Sequence, residues 1–428
     1  MKAIYLDNFR GFSNQLISLK EVNFLVGENS TGKTSFLAAV KVLGSPKFWF
    51  RPSFDDPDLP FSTFSEITSK SALDKKYFSI GYFSDEKPKR KHDLFRLLRF
   101  KDLNGFPAID KYCFLVESGV VISEIREGTI KYKLIKDCPE SVVELANLCN
   151  EEMDASRFKG AKIMRNKNFS RAMLFANAQN IVEADLVDGL KDGVEFSFNI
   201  GMDGPVCKWI APIRAKPEKI YLGGMPGYSS EGAHIPYLLN KILKAKAAQS
   251  DKKLLALVNE FGKNSGLFEA VKVKRFGNEV LAPFEINVDI GGNSLVLGSV
   301  GYGVSQVLPI ILEATRQNSS AYTAIQQPEV HLHPKAQAAL GEFLFQCNME
   351  KKIQYLIETH SDFLIDRFRL CMNRSEYCCS AQVLFFERVE HGNSVHSIEI
   401  DEDGRYPVDQ PEAFRAFFLN EEMSMLRV

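Results

Sequence analysis

No two of the eight cysteines form a CxxC pair. Cys113, Cys138, Cys149, Cys207, Cys347, Cys371, Cys378 and Cys379 are scattered, which argues against a zinc site or a disulfide frame and for reduced thiols. Long apolar runs are also missing. None approaches the roughly 20 residues that a membrane span needs. The N-terminus, MKAIYLDNFRGF, mixes acidic and basic residues within its first ten positions and does not read as a signal peptide. The expectation is a cytoplasmic protein with no membrane partner. An excess of one charge is absent too: 53 Lys and Arg face 54 Asp and Glu, for a net charge of −1. That excludes a bulk polyanion binder, so any nucleic-acid contact would need a local patch. There are no repeats and no low-complexity linker.

What is present begins with GENSTGKTS, Gly27 to Ser35. Gly27 and Gly32 bracket four residues and Lys33-Thr34 follow, which is the phosphate-loop spacing without a mismatch. Glycines let successive backbone N–H groups turn toward an anion. The loop would bind ATP through Gly27, Asn29, Ser30, Thr31, Gly32, Lys33, Thr34 and Ser35. Lys33 would reach the β- and γ-phosphate oxygens, and the Thr34 hydroxyl would hold Mg²⁺. An apolar run of strand length, Glu21 to Val26, precedes the loop. A run of helical spacing, Ser35 to Leu43, follows it, so the phosphates would sit on a helix N-terminus.

The expected fold class is α/β: a P-loop nucleotide-binding head split by a mixed β/α insertion, of the ABC type by the resemblance set out below. Residues 1–47 would form the N-terminal part of the head. Residues 48–206 would be the insertion, β-rich and then helical. Residues 207–279 would connect, and residues 280–428 would complete the head with a short tail. Phe48 to Phe64, rich in Pro, Asp and Phe, reads as an ordered loop. Tyr77 to Ile135 alternates apolar and polar residues as an antiparallel sheet does. Ser141 to Asp192 shifts to helical spacing. The 33 phenylalanines follow no regular spacing and read as core.

Three later stretches bear on the class of nucleotide chemistry. In GSVGYGVSQVLPIILEA, Gly301 and Gly303 precede a helix expected near Ser305, again an anion-binding device. In AYTAIQQPEVHLHPKAQ, an apolar strand ends in polar residues where a magnesium-site acid and a water-activating base would stand. In YLIETHSD, an apolar strand delivers His360 to the same sheet edge.

GENSTGKTS, VGYGVSQVLPIIL, QPEVHLHPKAQ and ETHSD, in that order, resemble the RecF/SMC-like ABC ATPases of the overcoming-lysogenisation-defect type. LDNFRGF, with Arg10, resembles that family's opening strand, and IAPIRAKP is a weaker match. The resemblance implies heads that form a homo-oligomer around ATP and Mg²⁺. Ser299, Gly301, Gly303 and Ser305 of one subunit would face the phosphate loop of another. It implies a catalytic group of Gln326, Gln327, Glu329 and His360, with His360 sensing the γ-phosphate and Gln326 joining Thr34 at the metal. Arg214 would lie near the site, in a phosphate or interface role or in a structural ion pair. His331 and His333 could be read as a metal pair, but no third ligand stands at metal-site spacing, which favours a structural turn.

One departure bears on mechanism. The family usually carries Glu-Glu-Pro or Glu-Gln-Pro where this chain has Gln326-Gln327-Pro328. A glutamine can offer a carbonyl to Mg²⁺ but cannot act as a general base. Hydrolysis is therefore expected to be impaired at Gln326, either as a naturally slow ATPase or as a Glu→Gln change that traps ATP.

Larger relatives carry a Toprim nuclease after the ATPase, and the stretch after His360 is too short for one. Asp401, Glu402 and Asp403 read as a hairpin loop. The resemblance extends to ATPase subunits of anti-phage systems such as PARIS and Septu. The expectation is an ATP-hydrolysing sensor and scaffold that controls a separate nuclease or toxin and answers to a phage trigger protein. The alternative is a DNA-repair ATPase that clamps DNA. The basic run Glu86 to His92 and the stretch Ala161 to Arg171 could touch nucleic acid or an acidic partner, or be solvated surface.

Overall fold

The structure is a computed structural model. It describes residues 2–417 apart from 57, 71–75, 85–93, 117, 127–128, 155–157, 159–160, 166–173, 187–204, 244–248, 280 and 317–320. The basic run Glu86 to His92 and the stretch Asn166 to Arg171 lie outside the described residues. The chain divides into two compact units. The first comprises Met1–Lys20, Glu28–Cys207 and Phe386–Ser397. The second comprises Glu21–Gly27, Lys208–Phe385 and Ile398–Val428.

The first unit holds strands β1 (Lys2–Asp7) and β2 (Gln15–Leu19). Strand β3 (Val22–Gly27) belongs to the second unit, and helix α1 (Lys33–Leu43) returns the chain to the first. Two short helices follow, α2 (Pro46–Phe50) and α3 (Phe64–Ile67). Then come β4 (Tyr77–Ser84), β5 (Leu94–Leu103), β6 (Phe106–Val116), β7 (Gly119–Arg126) and β8 (Thr129–Ile135). Helix α4 (Val142–Glu152), strand β9 (Lys162–Arg165) and helix α5 (Leu174–Leu186) complete it. The eight strands form one antiparallel sheet in the order β2-β1-β4-β5-β6-β7-β8-β9. Strand β9 corrects the expectation of helix throughout Ser141 to Asp192. Four residues suffice there because β8 offers a free edge to pair with.

Both faces of this sheet are covered. Leu145, Ala146, Cys149 and Met153 of α4 and its end pack on Ala3, Phe83, Leu97, Cys113 and Ile122. The opposite face carries an aromatic layer. Phe48, Phe54, Phe61 and Phe64 come from the Pro- and Asp-rich stretch, and they close on Phe9, Phe78 and Phe100 with ring centroids 5.0–6.3 Å apart. Irregular spacing is therefore no bar to core membership: a loop has no period to enforce, so each ring is placed by its own backbone.

The second unit has three central parallel neighbours. Strands β10 (Cys207–Ile210), β14 (Tyr322–Gln326), β15 (Gln354–Glu358), β3, β16 (Ala381–Val389) and β17 (Gly392–Ile400) form a six-stranded sheet in that order. β14 runs parallel to β15, and β15 parallel to β3. Burial is continuous along β3 and β14, as expected for strands covered on both faces. Strands β11 (Ala270–Arg275), β12 (Phe284–Ile290) and β13 (Asn293–Val296) make a small antiparallel sheet. Helices α6 (Ile235–Ile242), α7 (Gln249–Ser265), α8 (Tyr302–Ala314), α9 (Pro334–Lys351) and α10 (Asp362–Arg374) share one core of aliphatic and aromatic side chains with these strands. Among the described residues no helix is long and apolar enough to cross a membrane. All eight cysteines are free thiols.

Candidate functional site

In the first unit the phosphate loop is shaped by Gly32. This residue caps α1 with φ 101° in the left-handed region. A Cβ there would stand 2.5 Å from Cζ of Phe12, so only glycine fits. Ser30 also takes a positive φ of 64°. Lys33 is buried and donates from Nζ to the Glu28 carbonyl at 2.6 Å, spanning the loop. The Thr31 hydroxyl donates to the same carbonyl at 2.8 Å. Asn29 is exposed and Thr34 half-buried. The first turn of α1 carries no acidic residue, so its partial positive charge is left for an anion.

The opening turn lies against this loop. Asn8, Arg10 and Gly11 all have positive φ. Arg10 donates from Nε to the Ser35 hydroxyl at 3.0 Å and from its guanidinium to the Glu66 carbonyl at 2.9 Å. Asn393 donates to the Arg10 carbonyl at 3.3 Å, and Arg388 donates to the Ser30 carbonyl at 2.9 Å. Thus, from the hairpin of β16 and β17, Arg388 supports the loop from 358 positions away and Asn393 supports the opening turn from 383. Nothing in their local sequence marks them.

The second unit carries the ends of the parallel strands. Gln326 closes β14 and Glu358 closes β15, directly opposite each other in register. The Gln326 side-chain amide donates to Glu358 Oε2 at 2.7 Å, with both residues 5% exposed. Glu358 also pairs with Leu25 of β3, two residues before that strand ends at Gly27. Glu358 escaped the sequence reading. Its signal was its place as the last residue of an apolar strand, the same place that drew attention to Gln326.

Gln327 turns the chain with φ 44°, its N–H donating to the Glu358 carbonyl at 2.7 Å. Arg214 is 4% exposed and clamps this turn, donating to the Gln326 carbonyl at 2.8 Å and the Gln327 carbonyl at 3.4 Å. Burial lowers the guanidinium pKa to about 10, against the pull of Glu329. Arg214 thus holds backbone. Glu329 accepts one hydrogen bond on each oxygen: Oε1 accepts the His360 N–H and Oε2 the Thr359 hydroxyl, each at 2.8 Å. Burial raises its pKa, and those same donors oppose the rise. Glu329 thereby holds the backbone N–H of His360, whose own side chain is exposed. The His333 ring accepts from the Ala336 N–H at 3.3 Å and caps α9, while His331 lies 5.7 Å from the Tyr302 ring. His333 thus serves as a helix cap within this turn.

The glycine-rich segment departs from expectation in one respect. Helix α8 starts at Tyr302, three residues ahead of Ser305. The Ser305 hydroxyl therefore donates back to the Tyr302 carbonyl at 2.9 Å and is buried. Ser299, Gly301 and Tyr302 are exposed at the helix start. Gly303 is required by a close approach, since a Cβ would stand 2.8 Å from the His331 carbonyl. Asp401 ties up its own turn by accepting the Arg405 and Gly404 N–H groups.

The donor chemistry suits magnesium. At the strand ends of the second unit, the Gln326 side-chain carbonyl and the Glu358 carboxylate are hard oxygen donors, and magnesium is held by one or two carboxylates plus substrate phosphates. Among the described residues no group of three or more His, Cys, Asp or Glu could hold a metal ion by itself. Bound with ATP, magnesium would neutralise charge on the β- and γ-phosphate oxygens.

Residues 1–191 match a family model described as "AAA ATPase domain". Residues 223–366 match one described as "AAA domain, putative AbiEii toxin, Type IV TA system". Both matches are to models of AAA ATPase domains, and they support an ATPase of the AAA type for this α/β chain. No curated protein matches it in sequence. Solved structures that resemble it include an Smc head with an extended coiled coil, derived from Pyrococcus furiosus and bound to the C-terminal domain of ScpA. That match has 11% identity, covers 100% of this chain and 99% of that one, and has a TM-score of 0.45. An SmcHead bound to the C-winged helix domain of ScpA has 13% identity, coverage of 94% and 98%, and a TM-score of 0.44. An SMC head domain from Thermotoga maritima has 14% identity, coverage of 93% and 98%, and a TM-score of 0.37.

Proposed function

We propose that the chain binds ATP with Mg²⁺ through the phosphate loop and hydrolyses it. We propose further that it serves as the sensor and scaffold subunit of an anti-phage system, controlling a separate nuclease or toxin. The observation that carries the nucleotide reading is Gly32. Its left-handed backbone and crowded Cβ position hold the loop open to phosphate at the start of an acid-free helix turn. The toxin–antitoxin description of the family matching residues 223–366 supports the defence role. A protein partner fits the surface of the second unit. Ile213, Leu222, Met225 and Leu281 are 51–79% exposed, a cost that a partner's apolar surface would relieve.

Oligomerisation through ATP is supported by Ser299, Gly301 and Tyr302, exposed at a second helix N-terminus that a neighbouring copy's phosphates would meet. The test is to purify the chain alone and with the product of its neighbouring gene. Mass is then measured with and without ATP and Mg²⁺, together with nuclease activity and binding to linear duplex DNA. An ATP-dependent multimer that captures the partner supports the reading. Metal-dependent cleavage by the isolated chain, or a monomer under saturating ATP, rejects it. Tight DNA binding without a protein partner would favour the DNA-clamp alternative.

A further inference from the structure

We propose that the first unit carries a second ligand site, a cleft on its eight-stranded sheet that takes a small phosphate monoester with an apolar body. Every residue lining the cleft falls within Glu28–Cys207, and none belongs to the phosphate loop. The cleft follows from where α4 stops. Side chains alternate between the two faces along a strand. Under α4 the covered face shows Leu97, Cys113 and Ile122. Two positions along each strand, where α4 ends at Glu152, the lining becomes Arg99, Lys111 and Glu124. Arg99 is level with Lys111, and Lys131 of β8 stands opposite Glu124. Arg99 ties down the last turn of the helix, donating to the Asn150 carbonyl at 2.7 Å and to Asp154 at 3.0 Å. Beyond it lies a cleft of about 1090 Å³. That is the upper end of the roughly 300–1,000 Å³ typical of small-molecule sites.

Charge selects the ligand. Six cationic and four acidic side chains line the cleft. The acids already have partners. Lys101 pairs with Asp110 at 3.2 Å, Lys111 with Glu124 at 3.4 Å and Arg99 with Asp154 at 3.0 Å, while Arg126 also pairs with Glu124. Asp102 accepts the Gly105 N–H at 2.7 Å and holds its own turn. Lys76 and Lys131 have no ion-pair or hydrogen-bond partner among the described residues. Lys76 is exposed just before β4, whereas Lys131 is half-buried on β8. At about 4.8 Å per strand, four strand spacings put their backbones about 19 Å apart, so one phosphate reaches only one of them. Lys131 is the anchor, since a half-buried cation without a counter-charge is costly until a ligand supplies it. The excess of two cations matches a phosphate monoester, which carries a charge of about −1.5 to −2 at neutral pH. A monocarboxylate would leave one cation uncompensated. Ile163, level with Lys131 on β9, and Met153 at the end of α4 give the ester an apolar wall.

The inference stands apart from the nucleotide reading, and the test keeps the two separate. Equilibrium dialysis of the full chain compares 4-methylumbelliferyl phosphate with 4-methylumbelliferone, the same ring system without the phosphate. The ester should bind at least about tenfold more tightly, the order expected of one charge-assisted hydrogen bond. Lys131→Met should abolish that preference and Lys131→Arg should keep it, while Lys76→Met should change it little. Lys33→Ala should leave it intact. Equal binding of the two compounds by the parent overturns the inference, and so does a preference that survives in Lys131→Met. A preference lost in Lys33→Ala assigns the ester to the phosphate loop and also overturns it. If Lys131→Met does not fold, Lys131→Gln decides by the same two outcomes. A short single-stranded oligonucleotide that binds more tightly than the ester, and loses that binding in Lys131→Met, overturns the small ligand in favour of nucleic acid.

Discussion

The phosphate loop of the first unit and the paired strand ends of the second are built in opposite ways. The loop is local: nine consecutive residues, Gly27 to Ser35, carry its geometry and its donors. The strand-end pair joins Gln326 to Glu358 across 32 positions, and neither side chain has that role without the other. A local device can be read from spacing because its backbone fixes it. An assembled device needs the sheet register, which a one-residue slip would destroy by turning each side chain to the other face.

The surroundings differ in the same sense. The first unit is stabilised by an aromatic layer drawn partly from an irregular stretch, and the second by a mixed aliphatic and aromatic core drawn mostly from regular strands and helices. Breaking that aromatic layer is expected to have the largest effect. Phe78 is fully buried and contacts Phe9, Phe54, Phe64 and Phe100. Phe78→Ala should cost about 3–5 kcal/mol. Urea unfolding followed by fluorescence measures it, and a loss below about 1 kcal/mol would deny the layer its role.

Lys33→Ala breaks the local device at its charge. Losing the ammonium contacts to phosphate should cost about 3 kcal/mol, on the order of a hundredfold in ATP affinity. Titration with a fluorescent ATP analogue reads this directly. Parental affinity would mean that the loop does not hold phosphate.

Gly32→Ala sharpens the comparison by changing backbone alone. The added Cβ meets Phe12 at 2.5 Å in a positive-φ conformation. The expected cost is about 1–3 kcal/mol, with weaker nucleotide binding. Ala at exposed Gly105, where φ is also positive but the Cβ position is open, should cost less. Equal melting temperatures for the two variants would reject the steric account.

The smallest effect is expected at a buried polar cluster of the second unit. Glu313 accepts from His234 at 2.9 Å and from Lys208 at 3.2 Å. Burial pushes its pKa up, but His234 and Lys208 outweigh that and hold it below the ordinary carboxylate value. A depressed folded pKa means stability that is present above the unfolded value of about 4.3 and lost as pH falls through the folded one. The melting-temperature gap between the parent and Glu313→Gln should therefore narrow below that range. A gap independent of pH would show that packing, not charge, makes the difference.

Much of this was legible beforehand. The run GENSTGKTS announced its loop, and the apolar runs ending at Gln326 and Glu358 announced two strands reaching one edge. Ser305 was misplaced because glycine spacing marks a turn but does not say where the next helix closes its first hydrogen bonds. That start came three residues earlier. Arg214 was read as standing near the site. The sequence did not show that its guanidinium would be buried on two backbone carbonyls.

By itself, the sequence determined the class of ligand and the order of elements, because phosphate recognition and strand or helix periodicity are properties of neighbouring residues. Only the tertiary structure decided which acid stands at the strand ends. It also decided what Glu329 binds, and that Arg388 and Asn393 support a loop and a turn at the other end of the chain. The reason is physical. A hydrogen bond depends on about 3 Å of space. Two groups 32 or 383 positions apart acquire that separation only when the sheets fix their register.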